Sequence, residues 1–274
     1  MFSRFRVDVA VVVTAALVTG LVACTGKAPA SRPPAVPRYA TSLAQAEGDV
    51  VAVKTGPLIG GVSYTTALPL RYTRDGADTV LATSLPLAAP APKATAAWWS
   101  PGNMRGHDTA TATSMGCYED TIEVLEVPGR LQLIRPGSLP TASSVTVAGT
   151  DVEMMPGSGL QMSWSPTPGA YHPLRGGGVV TGDGISDIYD NGAAVLTADG
   201  RLGAFLLRYL AVSVRVMDPA ELRREVEQVT GSPAPATYPL STLSRYGSAV
   251  GIAVTPNTVT QAVNRAAGEG LPPC

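Results

Sequence analysis

Charged and aromatic residues are both scarce in this sequence of 274 residues. Only 15% of the residues are charged and 5% are aromatic, and 20 Lys and Arg stand against 21 Asp and Glu. Because no basic stripe or block of like charge is present, we do not expect nucleic acid as a partner. The chain has only two histidines and neither Cys-x-x-Cys nor His-x-x-x-His spacing. The sequence therefore predicts no metal site and no cofactor.

Long apolar runs are missing beyond residue 22, so no later segment is long enough to cross a membrane. Residues 9–22 are almost wholly apolar, follow Arg4 and Arg6, and lead through small residues to Cys24. This pattern is typical of a secretory signal. Its last four residues, 21–24, resemble the bacterial lipobox, in which the cysteine thiol receives a diacylglycerol and becomes the new N-terminus after cleavage.

The resemblance to a lipobox implies a lipoprotein signal peptide over residues 1–23 and lipidation of Cys24. The membrane would then be a partner through this lipid, on the outer face of the cell membrane of an exported protein. An ordinary cleaved signal with an incidental cysteine is the alternative. Residues 24–44 are rich in Pro, Ala and Ser and predict a tether. At about 3.1 Å per residue, residues 25–38 would hold the folded body about 40 Å from the bilayer.

Cysteine is represented by three residues only. If Cys24 carries lipid, Cys117 and Cys274 remain as an even pair in an oxidising compartment. Such a pair favours a disulfide between them. Two free thiols are the alternative.

Glycine and proline, by contrast, are abundant at 29 and 24 residues, and Val, Thr and Ala are frequent. Together with short alternating segments separated by turn sequences, this composition is typical of a protein that is mainly β. In residues 121–127, Ile122, Val124 and Leu125 alternate with Glu123 and Glu126. This alternation predicts a half-buried strand.

Two helices are predicted by their first residues. An Asp-Pro pair at 218 and 219 begins a helix over about 218–229, and a Thr-Pro pair at 255 and 256 begins another over about 256–267. In each pair the first residue is a favoured N-cap and the proline suits the first helical position.

Residues 88–115 are poor in aliphatic side chains and predict a long surface excursion. Within it, Trp98 and Trp99 form an adjacent aromatic pair. One interpretation is a core ring beside an edge ring. The other is an exposed platform that binds a glycan, a lipid or an envelope protein, which makes both tryptophans possible binding residues.

Three segments, in order, resemble the trypsin-like serine proteases, especially the bacterial high-temperature-requirement branch. Residues 121–127 (TIEVLEV) are similar to that family's D-[IL]-A-[VL]-L-K-V strand. Residues 190–201 (DNGAAVLTADGR) are similar to its [DN]-S-G-G-P-[LV]-V-x-x-D-G-[RE] segment, in which the Ser is the nucleophile. Residues 251–259 (GIAVTPNTV) resemble its closing strand and helix start. A weaker match, residues 75–87, aligns with the strand that carries the catalytic histidine.

This resemblance implies a trypsin-like double antiparallel β-barrel with a C-terminal helix. The N-terminal barrel would cover residues 45–128. Residues 129–274 would contain the C-terminal barrel, the inserted helix and the terminal helix. An unrelated β-sandwich or barrel is the alternative fold.

The positions that align with the catalytic triad depart from the family. The nucleophile position holds Asn191, the histidine position Leu85 and the aspartate position Thr121, although a register slip would bring Asp120 there. The three replacements supply no attacking hydroxyl, no imidazole and no carboxylate at those positions. Where the family has an oxyanion-hole glycine, the chain has Tyr189. The departures predict a dead protease with no catalytic residues.

The sequence leaves three functions open. The expected one is non-catalytic binding or scaffolding in the cell envelope by a pseudoprotease. The alternatives are a β-rich lipoprotein that binds a small ligand or lipid in an internal cavity, and a residual serine-type hydrolase. We expect His107 and His172 as solvated loop residues. We also expect three aspartates to be turn residues rather than Ca²⁺ ligands: Asp183, Asp187 and Asp190.

Overall fold

The computed structural model describes residues 36–55, 63–84, 93–99, 107–139, 143–155, 159–174, 177–181, 192–211, 220, 223–224, 227 and 249–274. Within these residues, twelve strands form two closed antiparallel barrels of six strands each. Closure leaves no open edge in either ring, which is how a β-rich chain avoids pairing with other chains.

The first barrel has the strand order β1-β2-β3-β6-β5-β4, and β4 pairs back onto β1. A register shift in β2 beside Pro69 fits the proline into the ladder, since a bulge tolerates a residue without an amide hydrogen. The strands are β1 (Val51–Thr55), β2 (Ser63–Tyr72), β3 (Asp78–Ser84), β4 (Lys93–Trp99), β5 (His107–Tyr118) and β6 (Ile122–Pro128).

The second barrel repeats this ring order, as β7-β8-β9-β12-β11-β10, and is closed by the pairing of β10 with β7. Two of its strands, β7 and β8, are longer than the ring requires. The strands are β7 (Ser143–Met155), β8 (Gly159–Leu174), β9 (Gly177–Thr181), β10 (Ala194–Leu196), β11 (Leu202–Ala211) and β12 (Ala249–Val254).

Three apolar clusters fill the body. One lies inside the first barrel and one inside the second. The third joins the outer faces of both barrels to helix α2 (Pro256–Gly268), with Ile122, Phe205 and Val259 among its members. Strands such as β3 are therefore buried on both faces. The burial of apolar surface in these clusters is the main force that holds the barrels together.

The N-terminal part of the body begins before the expected boundary at residue 45. Tyr39 forms a parallel bridge with Leu133, and Ala40 N donates to Leu133 O at 2.9 Å. Helix α1 (Leu43–Gly48) follows, with Ser42 as its N-cap. The tether prediction for residues 24–44 thus included a segment that pairs with the linker between the barrels. A single bridge to a distant residue leaves no local signal, so composition alone did not separate this segment from the tether.

The segment after α2 returns to the first barrel. Cys117 and Cys274 form a disulfide with their Cα atoms 4.9 Å apart, which confirms the expected pairing. Cys117 N also donates to Pro272 O at 2.9 Å. Gly116 has φ +112°, and a Cβ there would overlap the Pro272 carbonyl, so only glycine fits beneath this tail.

The fold confirms the predicted mainly β double barrel and the helix at residue 256. The predicted excursion over residues 88–115 is wrong, because β4 and most of β5 lie in it. Helix is also seen at Ala220, Arg223, Arg224 and Glu227. Over the described residues, no helix has the length and apolar character needed to cross a membrane.

Candidate functional site

Two of the three triad positions, Leu85 and Asn191, lie outside the described residues, so the site is described by the residues next to them in the chain. Ser84 ends β3 immediately before Leu85, and Gly192 follows Asn191. Thr121 is described and precedes the first residue of β6.

The chain neighbours of two of these positions are paired, because β3 ends beside the first residue of β6. Ser84 pairs with Ile122 in the antiparallel ladder of these strands. Ser84 immediately precedes Leu85, and Ile122 immediately follows Thr121.

Gly192, the residue after the third position, lies beside the end of β3. Its N–H donates to Leu206 O at 2.7 Å, which fixes it on the second barrel. A Cβ on this residue would overlap the Thr66 carbonyl oxygen and lie 3.0 Å from both Ser84 N and Thr83 Oγ1. Its φ of +84° also favours glycine. The chain after Asn191 thus touches the end of β3 across the boundary between the barrels.

Ser84 links the two barrels directly. It is 5% exposed, and its Oγ donates to Leu207 O at 2.7 Å. A buried hydroxyl must be paired to be tolerated, and this one finds its acceptor on the other barrel. Because its hydrogen is given to a carbonyl and it is buried, Ser84 is placed to position the chain rather than to attack a substrate.

A polar cluster closes the interior of the first barrel beside this point. Its members share the inward face with apolar residues two positions along each strand. Thr83 Oγ1 donates to Thr66 O at 2.6 Å and lies 3.2 Å from Thr65 Oγ1. We call Thr65, Thr83, Ser114 and Glu123 the polar end of the first barrel.

The prediction of a half-buried strand at residues 121–127 is wrong for Glu123. Instead of facing solvent, it is 3% exposed and lies on the inward face with Leu125 and Val127. The other face of β6, with Ile122 and Val124, meets the cluster between the barrels, so neither face is open to water. Burial raises the pKa of the Glu123 carboxyl, and a smaller opposing effect comes from its hydrogen bond with Ser114.

Thr121 lies in an exposed turn. Its N–H donates to Tyr118 O at 3.1 Å, and the preceding Glu119 and Asp120 have φ of +50° and +52°. Two successive non-glycine residues in the left-handed region are uncommon and cost conformational energy. Cys117, whose disulfide with Cys274 holds the C-terminal segment, lies one residue before this turn.

The two histidines belong to different barrels. His107 begins β5 and pairs with Trp99. His172 lies within β8, opposite Val179, and not in the predicted loop. Its Nε2 is 3.5 Å from Thr181 Oγ1, and partial burial lowers its pKa.

The remaining predicted residues are only partly placed. Trp98 and Trp99 end β4, beyond its last pair with β1, and pair with Asp108 and His107 of β5. As consecutive strand residues they lie on opposite faces. Cys24, Tyr189 and the acidic residues at 183, 187 and 190 lie outside the described residues. In the described part of the chain, no group of three His, Cys, Asp or Glu could hold a metal ion.

Comparison with known proteins gives a fold but no family. No protein-family model matches the chain, and no curated protein sequence matches it. Among solved structures, the HtrA-type protease AlgW, determined with a decapeptide, matches with a TM-score of 0.50 and 12% identity over 85% of this chain and 68% of that one. This likeness shows the fold alone, a trypsin-like double barrel.

Two further structures match less well. The Rv3671c protease in an inactive form has a TM-score of 0.47 and 15% identity, over 86% of this chain and 99% of that one. The serine endoprotease from Yersinia pestis has a TM-score of 0.44 and 16% identity over 63% of this chain. The match spans 58% of the length of the Yersinia protein.

Proposed function

We propose that this trypsin-like double barrel is an exported, lipid-anchored protein of the cell envelope that acts without catalysis, as a binding or scaffolding module. The anchor is Cys24, and the partner is an envelope protein, a glycan or a lipid. The proposal joins the lipobox-like sequence to a protease fold whose reactive positions carry other residues.

One observation carries the non-catalytic part. The chain neighbours of the three triad positions, Ser84, Ile122 and Gly192, meet at the boundary between the barrels. Acyl transfer there would need a hydroxyl, an imidazole and a carboxylate. The sequence supplies Asn191, Leu85 and Thr121 instead. A correctly assembled scaffold with these replacements supports a protein that has kept the fold and lost the reaction.

The interiors of the barrels support binding by an outer surface rather than in an internal cavity. Buried side chains fill both rings, among them Leu81 and Leu125 in the first and Val147 and Leu206 in the second. A lipoprotein that carries a small ligand inside a barrel would need that space to be open. The partner therefore belongs on an exterior face.

The position of the site is tested by cross-linking. Leu85→Cys with Asn191→Cys should form a disulfide under mild oxidation, because their neighbours Ser84 and Gly192 are in contact. The control pair is Leu85→Cys with Ala198→Cys, since Ala198 lies in the exposed turn after β10, two residues before Gly200, which contacts Ser42. Equal cross-linking of both pairs, or of neither, would remove the argument from position.

The absence of catalysis is tested on the exported protein. We expect no labelling by a fluorophosphonate probe and no cleavage of unfolded casein, against an active trypsin-like enzyme as the positive control. Cleavage by the parent chain that disappears in Asn191→Ala would show a residual hydrolase and overturn the proposal. The anchor is tested separately, by the mass of the N-terminal peptide with and without Cys24→Ser.

A further inference from the structure

The C-terminal segment, residues 269–274, is fastened to the end of β5 by a disulfide whose two sulfur atoms are not equally reachable. Cys117 N–H donates to Pro272 O at 2.9 Å, and the bridge joins Cys117 to Cys274. Cys117 is 0% exposed, whereas Cys274 is partly exposed. A thiol from solvent therefore meets Cys274 Sγ first, and Cys117 Sγ is the sulfur that has to leave.

A buried carboxyl lies directly across the ladder from this sulfur. Cys117 and Glu123 are direct partners of β5 and β6. Because Cys117 N–H donates to Pro272 O and not to β6, the two form a pair without mutual hydrogen bonds. In such pairs the Cα atoms are about 4.5 Å apart and the side chains are close. The next pair, Tyr118 and Ile122, packs on the outer cluster, so Cys117 and Glu123 share the inward face.

The leaving sulfur needs a proton. Breaking the bridge by attack on Cys274 gives Cys117 a negative charge at a position that is closed to water. Burial in apolar surroundings raises the pKa of a thiol, and a thiolate of high pKa leaves slowly. Proton transfer to Cys117 Sγ as the bond breaks would remove this barrier.

Glu123 has the properties of the proton donor. Burial raises the pKa of its carboxyl above the ordinary value, and a hydrogen bond with Ser114 acts in the opposite direction. Ser114 Oγ accepts from Gly116 N–H at 3.3 Å, which leaves its own hydrogen for the carboxyl. The carboxyl is thus oriented by β5, the strand that also carries the sulfur. It keeps its proton at a pH where an exposed carboxyl has lost it.

No charge of a described residue contributes to this pKa shift, whose causes are burial and Ser114. The groups at the polar end of the first barrel other than Glu123 are hydroxyls. The ionisable groups of the elements around it lie elsewhere: Glu126 and Tyr118 on the outer faces of β6 and β5, Glu119 and Asp120 in the exposed turn, and Arg265 and Glu269 as an exposed pair at 3.6 Å on α2. Proton exchange inside this end of the barrel therefore involves Glu123 and Cys117.

We propose that the Cys117–Cys274 bridge is a site of thiol–disulfide exchange with a dithiol, at which Glu123 gives its proton to the leaving Cys117 sulfur. A thiolate of the dithiol bonds to Cys274 Sγ, and the electron pair of the broken bond goes to Cys117 Sγ, which takes the Glu123 proton. The carboxylate regains a proton from water. The second thiol of the dithiol then loses its proton, closes the disulfide of the reductant and releases Cys274, which is protonated by water. Two electrons pass to the bridge, and the C-terminal segment loses its covalent tie to β5.

The test measures how fast dithiothreitol reduces the folded chain between pH 5 and 8. Cys24→Ser is present in every sample, so that the thiols trapped by maleimide come from the bridge. Rates of parent and variant are compared at the same pH, which cancels the ionisation of the reductant. At pH 5 the bridge of Glu123→Gln should be reduced about tenfold more slowly or less, because an amide cannot supply the proton. The difference should shrink as pH rises and the carboxyl of the parent ionises.

Glu126→Gln is the matched control. It makes the same change on the outer face of the same strand and should follow the parent at every pH. Ser114→Ala gives a second test that keeps the carboxyl and serves also if Glu123→Gln does not fold. The Ser114 hydrogen bond lowers the pKa of Glu123, so its loss should move the pH dependence of the reduction rate to higher pH.

Three results would overturn the inference. Equal rates for the parent and Glu123→Gln at all pH values would show that the carboxyl gives no proton to the sulfur. Faster reduction of Glu123→Gln, independent of pH, would show that Glu123 only keeps the barrel closed around the bridge. A rate profile that Ser114→Ala leaves unmoved would separate the reaction from the titration of Glu123.

Discussion

The two barrels share one strand order but enclose different chemistry. The interior of the first ends in hydroxyl groups and a buried carboxyl, Glu123. Among the described residues, the apolar cluster inside the second barrel contains Tyr171, whose hydroxyl donates to Gly177 O at 2.7 Å and whose ring lies against Gly178. The comparison teaches that the hydrogen-bonded ring sets the architecture, while the interior tolerates polar groups if each has a partner.

The barrels also differ in how they are fastened. The first is bound by the Cys117–Cys274 disulfide and by the tail that crosses Gly116. Between the two lie the apolar cluster that they share with α2 and a polar contact at Ser84 and Gly192. Substitutions can therefore weaken one barrel, the other barrel or the contact between them.

Loss of the disulfide should have the largest effect and act on the first barrel. Its sequence separation is 157, for which the chain-entropy model gives about 5 kcal/mol as an upper estimate. We expect Cys117→Ser with Cys274→Ser to lower the free energy of unfolding by about 2–5 kcal/mol, measured by denaturant titration. Hydrogen exchange should rise in β5 and α2 and stay unchanged in β9 and β12. A uniform rise would show that the barrels do not differ in this way.

Gly192→Ala should weaken the contact between the barrels by about 3 kcal/mol, because it combines an unfavourable φ with overlap of the Thr66 carbonyl. Gly129→Ala is the matched control: its φ is +112°, but a Cβ there would meet no atom within 4 Å. The control isolates the cost of the backbone angle, about 1 kcal/mol. Thermal melting of both variants measures the difference, and equal losses would mean that the contact is unimportant.

Tyr171→Phe should destabilise the second barrel by about 1–2 kcal/mol, because the buried Gly177 carbonyl loses its donor. The same burial raises the pKa of Tyr171 to about 12, so its hydroxyl stays protonated and the cost should not vary between pH 5 and 9. Chemical unfolding at both pH values checks this. A cost that changes with pH would place the hydroxyl in contact with a titrating group.

Glu123→Gln should have the smallest effect and the opposite sign. The folded-state pKa of Glu123 lies above its usual value of 4.5, so the folded state holds the proton more tightly. Stability of the parent therefore falls as pH rises from about 4.5 through the folded pKa, and Glu123→Gln should remove that loss. The two chains should be equally stable at pH 4, and the variant more stable at pH 8.

Asp49 needs a separate control in that experiment. Burial raises its pKa to about 7, with a smaller opposing effect from Gln132. Asp49 therefore also lowers the stability of the folded state as pH rises from about 4 to 7. Asp49→Asn should flatten this part of the profile, and a profile that stays steep in both single variants would show that neither carboxyl causes it.

Part of the fold could be predicted because its signals are local. Pro256 at the start of α2 and the glycines of the two Asp-Gly turns, Gly76 at φ +69° and Gly200 at φ +78°, each meet a requirement of one or two residues. The disulfide followed from a count of cysteines and the expected compartment. These features need no knowledge of the remaining chain.

The rest depends on contacts between distant segments. The strands β4 and β5 contain many Thr and Ala and few large aliphatic residues. They are held in the ring by the pairing of β4 with β1 and of β5 with β6. Glu123 follows a polar alternation, but ring closure places its face inside the first barrel, while the second barrel and α2 cover the other face. Neither closure nor that cover is visible in a short stretch of sequence. Of the candidate site, the residue types at the triad positions were predictable, whereas the contact of Gly192 with Ser84 required the structure.

The disulfide also determines how the molecule transmits force. It joins β5 of the first barrel to a residue beyond α2, so every strand of the second barrel lies inside the covalent loop. Tension between the N-terminal part of the chain and Cys274 would run through residues before Cys117 and then across the sulfur bridge. The second barrel would be shielded from stretching for as long as that bridge is oxidised.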